Sequence, residues 1–288
     1  MTAVPAVAAP LHALLARAID YAGLFPPANL DLSAALQNYL GYRKGEAAWA
    51  LGRFIVPAGK LEELPRHGEP PVELSVVIGP QVSGDLDRTE RFRASVAGQD
   101  YVIQALEIKV SSDPSVPGDG ARYFEIPLDQ GLEQHLDQVR RVGGFAKVRT
   151  GGVTAEAFPE SGILTRFLIA TGRDRLPFKA TAGLHHPVRG TFRLTYQAGA
   201  PTAVMYGYLN LAIAAILAWG QAGQGGVEAA LLESDPATIR FDSDALRWRG
   251  HRFPVDLLVQ VRKDFFHGFG SCSFREPLDE LVPLARPR

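Results

Sequence analysis

Short apolar runs alternate along this chain with longer stretches in which apolar residues recur three and four positions apart. Bounded apolar runs of that kind read as buried strands, and the three-and-four spacing reads as helix. Leu11 to Ala18 has helical spacing, and Ala18 to Phe25 is a short buried strand stopped by Pro26 and Pro27. Asp31 or Asn29 can cap the next helix, Leu32 to Tyr42. Further strands are expected at Arg53 to Pro57, Glu73 to Gly79, Ile103 to Val110 and Arg122 to Pro127. A helix starts near Lys60, and others cover Asp85 to Ala97 and Gly131 to Val142. Two more strands carry one lysine each, Lys147 and Lys179, with a helical pattern from Ala155 to Thr171 between them. That is a βαβ unit, whose strands are parallel neighbours. The candidate for an eighth strand is Val204 to Tyr208, just before an apolar helix, Leu209 to Trp219. Beyond it, residues 220–236 read as a loop. Thr238 to Phe241 and Leu246 to Trp248 form a surface hairpin, and Val255 to Phe266 is the last long helix. Gly268 to Phe274 reads as a glycine and serine turn, followed by a segment from Asp279 to Leu284. Ser111 to Gly120 is the most loop-like stretch.

This alternation predicts an α/β fold with a parallel sheet. Length and order fit a (β/α)8 TIM-type barrel, one domain over residues 1–288 with a helical and loop extension from about 236. The alternative is a doubly wound open sheet. It would usually bring Gly-x-Gly-x-x-Gly after the first strand, a motif this chain does not contain.

Composition removes several function classes. The net charge of −1 gives no electrostatic case for nucleic acid or a membrane surface as partner. Cys272 is the only cysteine, so no internal disulfide can form and a reducing, cytoplasmic setting is expected. Met1 to Pro10 lacks a basic segment and is broken by prolines, unlike a signal peptide. The apolar run Leu209 to Trp219 is too short to span a bilayer.

In a parallel barrel the site lies at the C-terminal ends of the strands. Asp20, Glu107, Lys109, Glu125, Lys147, Arg149, Lys179, Thr181, His185 and His186 collect there. Residues two apart share a face, so Lys147 goes with Arg149, Lys179 with Thr181 and Glu107 with Lys109. A lysine in a buried strand costs several kcal/mol unless something compensates it. Two side by side point to a ligand or a reaction, against the plainer reading of a structural ion-pair layer. A lysine is nucleophilic only as the neutral amine, and a second cation plus partial burial lowers its pKa. The neutral amine can then form a Schiff base with a small carbonyl substrate, and Glu107 or Asp20 could move the protons. Such chemistry needs no cofactor and no metal. Arg149, Arg189 and the Gly151-Gly152 turn could hold a substrate anion.

Other readings stay open. With Glu107, Glu125 and Asp20, His185 or His186 could hold a divalent metal in a metal-dependent lyase or hydrolase, or a histidine could cap its turn. Phe265, Phe266, Phe269 and Phe274 fit a sealed core better than a lid or an oligomer contact. Cys272 is a weak candidate for a reactive thiol. A barrel that binds a small anion without catalysis remains, as does a homo-oligomer.

The lysine-bearing region resembles the 2-deoxyribose-5-phosphate aldolase family of class I aldolases. The family's Lys-Val strand and Lys-Thr-Ser-Thr-Gly strand are matched by Lys147-Val148 and by Lys179-Ala-Thr-Ala-Gly183, at a similar separation. Ile19-Asp20-Tyr21 resembles its Ile-Asp-His-Thr, Val76 to Gly79 its Val-Val-Gly-Phe-Pro strand, and Leu106-Glu107-Ile108 falls where it has Ile-Asp-Met. The resemblance covers roughly residues 18–187. It implies an aldolase in which Lys147 forms the Schiff base, Lys179 lowers its pKa and Glu107 is the acid and base. The family's aspartate is glutamate here. Its phosphate-binding Gly-Gly-Ile-Arg has no counterpart after residue 187, so the resemblance does not imply a phosphorylated substrate.

Overall fold

The structure is a computed structural model and describes residues 7–95, 97–109 and 120–281. Its centre is a closed barrel of eight strands: β1 (Ile19–Tyr21), β2 (Leu51–Pro57), β3 (Val72–Ile78), β4 (Tyr101–Lys109), β5 (Ala121–Glu125), β6 (Phe145–Arg149), β7 (Phe178–Thr181) and β13 (Phe266–Ser271). Every neighbouring pair is parallel, and β13 closes the ring between β7 and β1. The expected (β/α)8 TIM-type barrel is therefore the fold, and the open-sheet alternative is excluded.

Residue type decides which face of each strand meets the helices. Phe54, Val56, Leu74, Val76, Phe124 and Val148, at alternate positions, belong to one apolar cluster running from Leu11 to Leu281. The positions between them carry the polar side chains and face the barrel interior. The helices are α1 (Ala9–Leu15), α2 (Leu32–Tyr42), α3 (Val82–Ala94), α4 (Leu132–Arg141), α5 (Ser161–Arg173), α6 (Tyr208–Trp219), α7 (Gln224–Leu232), α8 (Val255–Asp264) and α9 (Arg275–Asp279). Asp31 caps α2, its Oδ1 accepting from the Ala34 N–H at 2.8 Å. In α4 the buried residues Leu132, Leu136 and Val139 fall on one stripe. The α6 helix is buried on all sides from Tyr208 to Ala218, which explains its unbroken apolar sequence. Its one amide, Asn210, is saturated: it donates to Ala230 O at 2.8 Å and Glu233 O at 2.7 Å and accepts from Arg189 N–H at 2.8 Å.

The path between β7 and β13 differs from expectation. Val204 is not on a barrel strand: β9 (Thr202–Met205) pairs antiparallel with β8 (Gly190–Arg193) in a separate hairpin. Residues 224–232 of the expected loop form α7, which buries Val227, Ala230 and Leu231. The hairpin of β10 (Ile239–Phe241) and β11 (Ala245–Trp248) gains a third strand, β12 (His251–Pro254). The last barrel strand is the stretch expected to be a turn. Gly268 has φ +128°, and a Cβ there would lie 2.3 Å from the Ala18 carbonyl oxygen. The register against β7 shifts between Phe266 and Phe269. Close backbone approach at a bulge demands glycine, and glycine erases the strand signal in the sequence. The region from about 236, expected as an extension, thus supplies the strand that closes the barrel. The β1 strand is shorter than Ala18 to Phe25. Residues 111–119 of the expected loop, 1–6 of the N-terminal stretch and 282–284 of the C-terminal segment lie outside the described residues. Among the described residues no helix is long and apolar enough to cross a membrane.

Candidate active site

The inward positions build a buried charge network. Lys147 and Lys179 are direct neighbours in register on β6 and β7, and Glu125 on β5 is opposite Lys147. Their amines do not compete for the same space, because Glu107 of β4 reaches between them. Lys147 Nζ lies 2.8 Å from Glu107 Oε2 and 3.0 Å from Glu125 Oε2. Lys179 Nζ donates to Glu107 Oε1 at 2.7 Å and to Asp20 Oδ2 at 2.5 Å. Ser75 of β3 donates to Glu107 Oε1 at 2.7 Å. On the far side, Asp20 Oδ1 accepts from Arg53 N–H at 2.7 Å, and Arg149 Nε donates to Glu125 Oε1 at 3.2 Å. The side chains of Glu107 and Lys179 are only 1% and 2% exposed, so the centre of the network is out of water. The sequence-selected residues Lys147, Lys179, Glu107 and Asp20 are thus in mutual contact or share a partner.

The electrostatics differ from the two-lysine expectation. Burial works against the Lys179 ammonium, but Asp20 and Glu107 outweigh it and raise its pKa above the ordinary lysine value. Burial likewise opposes charge on Glu107, yet Lys147 and Lys179 hold its carboxyl well below the usual carboxylate range. Glu125 is also lowered, against its burial, by Lys147 and Arg149. Lysine–lysine repulsion does not dominate at Lys179, because each amine contacts two carboxylates.

Two cavities flank this layer. At the C-terminal ends of the strands, one of about 380 Å3 is lined by Lys109, Glu125, Leu128, Arg149 and Glu156, among others. At the N-terminal ends, one of about 300 Å3 is lined by Arg17, Asp20, Arg53, Tyr123, Arg262 and His267, among others. His267 is pushed down to about 4 by burial and by Arg262 and Arg53, and its Nδ1 lies 2.8 Å from the Tyr123 hydroxyl. The imidazole facing the lower cavity is therefore neutral at pH 7. Lys147 and Lys179 line neither cavity. Of the network's carboxylates Glu125 and Asp20 do, each beside its arginine partner, Arg149 and Arg53.

The remaining selected residues fall elsewhere. Thr181 is next to Arg149 and Gly270 in register, at the C-terminal end of the barrel. His185 and His186 face Glu276 and Glu280, not Glu107, Glu125 or Asp20 as the metal alternative supposed. His185 Nδ1 is 3.3 Å from Glu276 Oε2, and His186 Nδ1 is 2.9 Å from Glu280 Oε2. Despite burial, contacts with Cys272 and Glu276 raise His185 to about 10. Arg189 lines a separate outer cavity of about 670 Å3 with Tyr206 and Glu228. Phe265, Phe266, Phe269 and Phe274 are all buried in the apolar cluster. Cys272 is buried and 3.9 Å from the His185 ring nitrogens.

Sequence reasoning passed over Ser75, Tyr123 and Arg53. Alternation carried the signal: Tyr123 is two residues before Glu125 and so shares its face. Ser75 is the one hydroxyl inside the apolar run of β3.

No protein-family model, curated protein or solved structure matches this chain.

Proposed function

We propose that the barrel is a class I aldolase-like lyase in which Lys147 forms a Schiff base with a small carbonyl compound. The observation that carries this reading is the Lys147–Glu107–Lys179 bridge, with Glu125 joining Lys147 to the upper cavity. A carbonyl compound in that cavity meets Glu125 and Arg149 first. Arg149 pairs with an anionic or hydroxylated end of the substrate. For Lys147 to attack, its proton must leave, and Glu125 and Glu107 are the acceptors in contact with it. Attack of the amine gives a carbinolamine, and loss of water gives an iminium. Retro-aldol cleavage then sends the C–C electron pair into the iminium as an enamine. A carboxylate takes the proton of the departing hydroxyl, which becomes the second carbonyl product. Lys179, held as an ammonium between Asp20 and Glu107, keeps Glu107 ionised and fixed.

A second reading is a barrel that binds a small anion without covalent chemistry. It is favoured by the full pairing of both lysines and by their position behind the cavity walls. Borohydride reduction in the presence of aldehydes and ketones separates the two. The aldolase reading expects an irreversible mass increase in the wild type, absent in Lys147→Arg. No increase with any carbonyl compound leaves the anion-binding reading.

A further inference from the structure

The loop after β7 and helix α9 after β13 come together at the C-terminal rim of the barrel, where their parent strands are neighbours. Three donors converge there. His186 Nδ1 lies 3.0 and 2.9 Å from the two carboxylate oxygens of Glu280. Donor atoms of His186, Glu276 and Glu280 all lie within 4.8 Å of one another. Glu276 in α9 and Glu280, the helical-region residue that ends it, are four residues apart and so both point at the loop.

The donors are held in place. The His186 ring is stacked on Phe192 with centroids 3.4 Å apart and planes 11° from parallel. Its carbonyl oxygen accepts the Tyr208 N–H at 3.0 Å, which anchors the loop to the start of α6. Glu276 is oriented by the Tyr196 hydroxyl at 3.0 Å and by His185 Nδ1 at 3.3 Å, the kind of outer contact that aims a ligating carboxylate. Among the described residues no lysine or arginine pairs with Glu276 or Glu280; their ionic partners are the two histidines. Two carboxylates aimed at one imidazole with no strong base between them leave room for a dication.

We propose that His186, Glu276 and Glu280 form a site for one divalent transition-metal ion, zinc being the best fit, which ties the β7 loop to α9. Bonds of about 2.0–2.2 Å would put neighbouring donors roughly 3.3–3.5 Å apart, within the reach of these side chains. An imidazole nitrogen with two carboxylates favours zinc and its first-row neighbours over magnesium or calcium, which prefer all-oxygen sites. Imidazole and carboxylate ligate a metal only in their deprotonated forms, so binding weakens in acid. This site is independent of the lysine chemistry.

The test is titration of the tag-free, chelator-treated full chain with zinc chloride by calorimetry, backed by the visible absorption of cobalt(II) in the same protein. One ion per chain should bind, and the melting temperature should rise with zinc concentration. His186→Ala and Glu280→Gln should each weaken binding by about 100-fold or more. Lys147→Arg should bind zinc like the wild type, so a failure here is distinct from a failure of the Schiff-base reading. Glu280 is partly exposed, so Glu280→Gln decides the matter if His186→Ala does not fold. Absence of stoichiometric binding to the wild type, or unchanged binding in Glu280→Gln, would overturn the proposal.

Discussion

Glu107 is the residue on which the interior depends. It contacts both lysines and Ser75 from a position cut off from water. Glu107→Gln keeps the shape but leaves two buried ammonium groups sharing Asp20 and Glu125. Removing one partner of a buried pair costs about 3–5 kcal/mol, and urea unfolding at pH 7 should show a loss of that size. The same residue sets an acid limb. Its folded pKa is depressed, so its contribution is complete above the unfolded value of about 4.3 and drains away as pH falls below it. Lys179 has the opposite sign. Its folded pKa is raised, so its contribution holds below the unfolded value of about 10.4 and is lost as pH rises through the folded one. Stability measured between pH 2 and 5 should fall less steeply in Glu107→Gln than in the wild type. An equally steep fall in both would contradict the pairing.

Among the elements, β13 carries the most constraint for its length. Gly268→Ala would drive a Cβ into the Ala18 backbone at a φ that L residues avoid, prising β13 from β1. The expected loss is about 2–4 kcal/mol in chemical denaturation, from strain and lost barrel packing together. Gly84 in α3 is the contrast. A Cβ there meets nothing within 4 Å, so Gly84→Ala should stabilise by about 0.5–1 kcal/mol. These two glycines also show what the sequence can and cannot disclose. Apolar runs made β2 to β7 legible, together with the adjacent placement of Lys147 and Lys179. The β13 strand was not legible, because a bulge and a close contact replace its side chains with glycine. The network was legible where charge stood out inside an apolar run, as at Glu107 and the two lysines. Ser75 and Tyr123 were not, because a hydroxyl in a strand is chemically unremarkable until its partner is known. Asp20, Glu107 and Glu125 were legible as neighbours of the lysines, but it was not legible that each amine meets two of these carboxylates and that at Lys179 they outweigh the second cation. That depends on barrel closure, which no local pattern encodes.

For the whole molecule, the apolar cluster runs from Leu11 in α1 to Leu281 beyond α9. A closed ring also makes the first and last strands neighbours. Unfolding should therefore be a single cooperative transition, and a chain ending at Asp264 should lack it, because β1 and β7 would each lose one of their two partners and the ring would stand open. Calorimetry of the truncated chain checks this; a retained cooperative melt would show that the ring tolerates an open seam.

The central proposal is that Lys147 is the nucleophile, reached from the upper cavity through Glu125, which lines that cavity and contacts its amine. The most direct measurement is peptide-level mass spectrometry after borohydride reduction with the carbonyl compound that labels the wild type best. A reduced adduct on the peptide containing Lys147 is the expected result, with none on Lys179, whose ammonium is held by Asp20 and Glu107. An adduct on Lys179 that persists in Lys147→Arg would contradict the assignment.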